Sequence, residues 1–183
     1  QNVGTSDYIV SSLKITAGSQ EPIEIHSIRF YQNGTAADAD LKNLELVVDG
    51  AAVATVAQPT SKYANFKFAN PIVIAKGNNK DFDLRVDIAE GSSRTISMDI
   101  DKKADVVSKG QTFGFFRVPS YPNTTSPYFN ANDTTIDKGS IAFSKGVLSS
   151  LNVSEGGTGV TLGAFKATVQ GEPVQVTQFV IGA

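Results

Sequence analysis

Histidine occurs once, at His26, and cysteine and tryptophan do not occur at all. A histidine acting as general base needs a nucleophile and an orienting carboxylate beside it, and a zinc site needs several nitrogen or thiolate ligands. His26 is replaced by Thr177 at the equivalent position of a repeat described below and reads as a strand residue on a polar face. Carboxylates are more numerous: Asp38 and Asp40, then Asp81, Asp83 and Asp87, then Asp99 and Asp101. Glycoside hydrolysis would set two of them in a cleft with one pKa raised. Their alternate spacing instead puts them on a solvated strand face. Asp38, Asp40 and Asn43 gather hard oxygens in one loop and form the candidate calcium site, although the spacing of a helix–loop–helix calcium loop is absent. No other cofactor is expected. Residues 155–159, EGGTG, lead into a strand rather than a helix and read as a turn, not a phosphate cradle. Residues 62–68, KYANFKF, mix lysine with aromatics as single-strand nucleic-acid binders do. Ala64, Phe66 and Phe68 share a face, however, and the net charge is −2, so a core strand is expected and no nucleic-acid partner. Four Asn-x-Ser/Thr sequons, at Asn33, Asn123, Asn132 and Asn152, are candidate glycosylation sites of an exported chain. With no catalytic constellation, the chain is not expected to be an enzyme.

The elements that carry these residues are strands. Phe82, Leu84, Val86 and Ile88 alternate with Asp81, Asp83, Arg85 and Asp87, a period of two that a helix would scatter around its circumference. Ile96, Met98 and Ile100 repeat the pattern. Leu44, Leu46 and Val48 do so before Asp49-Gly50, a hairpin dipeptide leading to Val53–Val56. Further strands are expected over Tyr8–Ala17, Ile23–Tyr31, Ala64–Phe68, Pro71–Ala75 and Phe113–Val118, the last entered through Lys109-Gly110. Strands at roughly 10-residue spacing with turn signals between them read as an antiparallel β-sandwich. Hydrophobic content of 40% is enough for its core. No apolar run approaches the ~20 residues of a membrane helix, so no membrane insertion is expected, and no basic-then-apolar leader pattern opens the chain.

One stretch occurs twice. Leu13 to Phe30, LKITAGSQEPIEIHSIRF, is repeated at Phe165 to Ile181, FKATVQGEPVQVTQFVI. Lys14 matches Lys166, Thr16 matches Thr168, and Glu21-Pro22 matches Glu172-Pro173. Apolar residues match as well: Leu13 with Phe165, Ile23 with Val174, Ile25 with Val176, Ile28 with Phe179 and Phe30 with Ile181. The length difference falls in the turn, where a deletion costs least. Residues 119–139, PSYPNTTSPYFNANDTTIDKG, break the strand rhythm and are expected to be a linker. The expected organisation is therefore a sandwich over 1–118 without its first strand, a linker over 119–139, and a partial second copy over 140–183.

The run SLKITAGSQEPIEIHSIRFYQNGTAADADLKNLELVVDG, with the later NPIVIAKGNNKDFDLRVDIAEGSSRTISMDI, resembles the Ig-like β-sandwich repeats of bacterial surface-layer and cell-surface structural proteins. The resemblance implies an all-β, antiparallel Ig-like sandwich plus an incomplete second copy. It also implies an extracellular, cell-surface structural role, and it carries no catalytic residue.

The two copies differ in what precedes them. Tyr8 aligns with Val160, so the second copy has lead-in segments at 140–153 while the first has only residues 1–7. An incomplete sandwich exposes unpaired N–H and C=O groups that template a further strand. The missing strand has three possible sources: further sequence of a longer tandem array, the tail 140–183 folding back, or the tail of a neighbouring copy. In the third case Ile141, Phe143, Val147, Leu151 and Val153 are the expected assembly residues, and head-to-tail contacts that do not close build a filament. The expected function is a filament or surface-layer subunit whose partners are copies of itself. An adhesin or carbohydrate-binding module is the alternative.

Overall fold

The computed structural model describes residues 1–147, 155–170 and 174–180. Its strands, in chain order, are β1 (Tyr8–Thr16), β2 (Ile23–Gln32), β3 (Leu41–Val48), β4 (Ala51–Val56), β5 (Tyr63–Ile74), β6 (Asn79–Ile88), β7 (Thr95–Ile96), β8 (Met98–Asp99), β9 (Val106–Gly110), β10 (Phe116–Arg117), β11 (Thr134–Thr135), β12 (Ser140–Lys145) and β13 (Phe165–Gln170). The only helical pieces among the described residues are two 3₁₀ turns, Asp38–Asp40 and Lys103–Asp105.

The chain is all-β and its strands pair antiparallel. One sheet runs β1-β6-β3-β4 and a second runs β10-β9-β2-β5, with β8 also on β2. The alternating apolar residues of both sheets meet in a single core. Leu44, Leu46, Phe82, Leu84 and Val86 come from the first sheet, and Ile25, Ile28, Phe30, Phe66 and Val106 from the second. Phe30 and Phe66 meet edge to face with centroids 6.1 Å apart, an arrangement the ring quadrupoles favour. Asp49-Gly50 makes the β3–β4 turn with both residues at positive φ, as the hairpin dipeptide requires.

Residues 64–68 and 71–75, expected as two strands, form one. Between the pairs Ile25↔Ile72 and Ser27↔Lys67, β5 carries extra residues around Pro71, which has no N–H for the ladder. Phe113–Val118 is not the last strand. Only Phe116–Arg117 pairs, and Phe113, Phe115, Phe116 and Val118 are exposed. The ladder with β2 belongs instead to β9, just upstream. Gly110 ends β9 because the buried Glu21 carboxylate occupies the space a Cβ would take. Glu21 in turn accepts the N–H groups of Thr112 (3.0 Å) and Phe113 (2.9 Å).

Residues 119–137 do not behave as a linker. Ile100 and Phe129 bridge, and β11 pairs β7. Ile136 is fully buried in the core, and Tyr121 and Phe129 pack against it. The segment ends where Asp137 donates its N–H to Gln1 O at 2.6 Å. The sandwich therefore extends to Asp137, and only Lys138 and Gly139 separate it from β12. Composition hid this, because a few apolar anchors among prolines and polar residues show no period.

β12 and β13 form an antiparallel hairpin in which Ile141 faces Val169 and Phe143 faces Ala167. Phe165 and Phe179 stack at 4.5 Å, so residues 174–180 return against the hairpin.

Candidate functional site

The residues expected to gather around calcium each have partners of their own. The Asp40 carboxylate is buried and accepts the N–H of Ala37 (2.7 Å) and Arg94 Nη1 (2.7 Å). It caps the 3₁₀ turn and is neutralised in place. Asp38 accepts the N–H of Lys62 at 3.0 Å, and Asn43, at φ 48°, donates its amide to Asp87 at 2.8 Å. These side chains tie the loop to Lys62, Asp87 and Arg94 elsewhere in the sandwich. Among the described residues no three His, Asp or Glu side chains gather to hold a metal ion.

The other carboxylates follow the solvated-face expectation in part. Asp81 lies 3.5 Å from Lys14 Nζ, and Asp83 accepts from Ser12 Oγ at 2.6 Å. The Asn43 amide, then the Asp7 N–H, hold the Asp87 carboxyl below the usual carboxylate range. Asp99 departs from the expectation. It is fully buried beneath the 126–131 segment, where it accepts from Asn33 Nδ2 (3.0 Å), Ser97 Oγ (3.2 Å) and the Ala131 N–H (2.8 Å). His26 Nε2 lies 3.3 Å from Glu24 Oε2 beside the Phe116 ring.

Asn33, Asn123 and Asn132 lie on turns or loops, as expected of sequons. The Asn33 amide is tied to Asp99, and the Asn123 amide donates to Pro127 O at 2.8 Å and to Asn130. Asn132 is exposed and lies beside β1. Asn152 is outside the described residues, as are Leu151 and Val153 of the expected assembly set.

The remaining assembly residues form an open apolar surface. Every residue of β12 and β13 is exposed. On one face lie Ile141, Phe143, Phe165, Ala167 and Val169, and on the other Ser140, Ala142, Ser144, Lys166, Thr168 and Gln170. Phe143, Phe165 and Phe179 are 54%, 56% and 50% exposed although they cluster, and Val147 is fully exposed. A period-two pattern has put the apolar side chains on one side, but among the described residues no second sheet lies over them.

The matching feature of the sandwich is a groove that sequence reasoning did not locate. Among the described residues β1 is an edge strand that pairs with β6 alone. Beside its outer edge runs a largely apolar groove of about 680 Å³, lined by Leu13, Ile15, Val106, Tyr121, Pro122 and Phe129 among others. The groove is the gap between the first sheet, ending at β1, and the second, represented by Val106 of β9. The missing opening strand was its only sequence signal.

No protein-family model, curated protein or solved structure matches the chain. No helix among the described residues is long and apolar enough to cross a membrane.

Proposed function

We propose that the chain is a structural subunit of an extracellular filament or surface layer, built of sandwich modules joined by β-strand complementation. The observation that carries this reading is the pairing of two incomplete surfaces. One is a sandwich whose edge strand borders an apolar groove. The other is a hairpin whose apolar face stays about half exposed under Phe179 alone among the described residues, although its β13 strand copies sequence buried in the sandwich. Exposed apolar area of this kind marks an interaction surface, and an open edge beside it supplies the hydrogen bonds for β-augmentation. The likeness to Ig-like surface-layer repeats points the same way, and calcium is not part of this reading.

Light scattering against concentration, followed by negative-stain imaging, tests it. The subunit is expected to grow into linear polymers. A chain that stays monomeric in native buffer up to millimolar concentration excludes the reading.

A glycan-binding module is the second reading. Tyr121 and Tyr128 lie with centroids 5.7 Å apart at the groove's end, and Lys103 Nζ sits 5.3 Å from the Tyr128 ring. Aromatic pairs are common sugar platforms, and a glycan-array signal abolished by Tyr128→Ala would favour this reading over assembly.

A further inference from the structure

We infer that the outer edge of β1 accepts β12 of a second copy of this chain, with Ser144 opposite Lys14. The inference rests on the assembly reading above and specifies its contact.

Backbone direction carries the argument. In an antiparallel strand the N–H and C=O of one residue point to the same edge, and the next residue's point to the other. Ala17 donates its N–H to Asn78 O at 2.9 Å, continuing the β1–β6 register, so Ala17, Ile15 and Leu13 face β6. Ser12, Lys14 and Thr16 therefore present their backbone groups to the outer edge. In the second copy, Gly146 donates its N–H to Ala164 O at 2.8 Å, continuing the β12–β13 register. Ala164, Lys166 and Thr168 therefore face β12. By the Lys14–Lys166 and Thr16–Thr168 matches, these are the counterparts of Ser12, Lys14 and Thr16. β12 thus pairs with the very edge of β13 that β1 leaves without a strand.

Transferring the hairpin register onto β1 sets Ser144 opposite Lys14, Phe143 opposite Ile15 and Ile141 opposite Ala17. Leu13 and Ala17 are buried on the core side, so Phe143 and Ile141 would project into the groove against Val106, Tyr121 and Phe129. Lys145, opposite Leu13, is the one polar member of that face. Moving β12 from its own β13 to a neighbour's β1 exchanges one ladder for another, and the burial of Phe143 and Ile141 in the groove replaces the half-exposed contacts of Phe143 with Phe165 and Phe179.

The strand cannot come from the same chain. Asp137 is bonded to Gln1, Asn2 O accepts the Thr5 N–H, and Thr5 O accepts the Ile88 N–H, so β12 departs from the Ile88 end of β6. The site for Ile141 is beside Ala17, at the Asn78 end. β6 has ten residues, so these ends lie about 33 Å apart at ~3.3 Å per residue. From Asp137 to Ile141 the chain reaches at most about 14 Å. The occupant therefore belongs to another copy.

Because the chain has no cysteine, cross-linking reads the register directly. Full-length Lys14→Cys is mixed with full-length Ser144→Cys and oxidised. A hydrogen-bonded antiparallel pair sets the Cα atoms ~5.5 Å apart, within disulfide range. The mixture is expected to yield a 14–144 disulfide between the two chains, at least tenfold more than Thr16→Cys with Ser144→Cys, whose Cα atoms fall beyond ~7 Å. Lys14→Pro removes an outward N–H without touching the β6 ladder. It is expected to raise the concentration needed for polymer growth at least tenfold while the sandwich unfolds at the same denaturant concentration. Lys145→Leu is expected to lower the concentration needed for growth. Polymers that grow without a 14–144 link and ignore Lys14→Pro overturn this contact and leave the structural reading standing. Absence of any assembly overturns both.

Discussion

Leu13–Phe30 and Phe165–Val180 carry nearly the same pattern and have opposite fates. In the first, Leu13, Ile25 and Ile28 are buried; in the second, their counterparts Phe165, Val176 and Phe179 are half exposed. The pattern alone makes strand candidates in both. What buries the first copy is the rest of the sandwich. β6 pairs β1, β5 and β9 flank β2, and the two sheets close over the side chains. Strand propensity is mostly a statement about neighbours, and a two-stranded hairpin is marginal without a third layer.

The sharpest way to break that contrast is to truncate matched positions. Ile28→Ala removes a fully buried side chain and is expected to cost about 2–5 kcal/mol. Phe179→Ala, its counterpart, is expected to move the sandwich's unfolding by less than about 0.5 kcal/mol. Urea unfolding followed by tyrosine fluorescence compares them. Equal losses would mean that the second copy is already part of the sandwich core.

A second experiment asks where the sandwich ends. Ile136→Ala is expected to cost about 2–5 kcal/mol, as for any buried Ile, although it sits in a Pro- and Asn-rich stretch. Limited proteolysis of the unmodified chain is expected to cut after Lys138 and within residues 155–164 well before it cuts within 119–137. Early cutting at 119–137 would restore the linker and shrink the sandwich.

The Glu-Pro pair common to both copies gives a smaller handle. Gly110→Ala places a Cβ on the Glu21 carboxylate and is expected to cost about 1–3 kcal/mol. In the Glu21→Ala background, which is itself destabilised by the loss of two N–H partners, the same change is expected to cost less than about 0.5 kcal/mol. The pair then couples strongly. Additive losses would mean that Gly110 is required for backbone reasons instead.

The strands that could be read from residues are those with long alternation: 82–88, 44–48 and the repeated pair. β9 escaped because VVSKG is short and Lys109-Gly110 resembles a turn. Its glycine is needed for a side chain some ninety residues upstream, at Glu21, and no local pattern records that. Phe113–Val118 looked like a strand by composition, but its aromatics stay outside. Asp99 alternated correctly and was still buried, because its partners, Asn33 and the Ala131 N–H, are distant in sequence. The candidate calcium set also has partners that its sequence does not record. Asp40 Oδ2 is paired with Arg94, a residue more than fifty positions away. The imbalance between the copies is legible in the sequence, but the groove beside β1 is lined by Tyr121, Pro122 and Phe129, residues whose Pro- and Asn-rich surroundings read as a linker.

Tyr121 reports on that groove at the smallest scale. Burial, then the Asp105 charge, push its phenol up to about 12, and its hydroxyl donates to Lys103 O at 2.8 Å. In the unfolded chain the group titrates near ~10. A folded pKa above the unfolded one means that the neutral phenol favours folding. That contribution is complete below pH ~10 and is lost as pH rises through about 12. Absorbance at alkaline pH is expected to show one tyrosine ionising near 12, and Tyr121→Phe should remove that step and the stability loss above pH ~10 with it. If β12 of a neighbour fills the groove, the step moves still higher in polymer than in monomer, because further burial disfavours the phenolate. A step that stays put on assembly would place the contact between copies elsewhere than beside Tyr121.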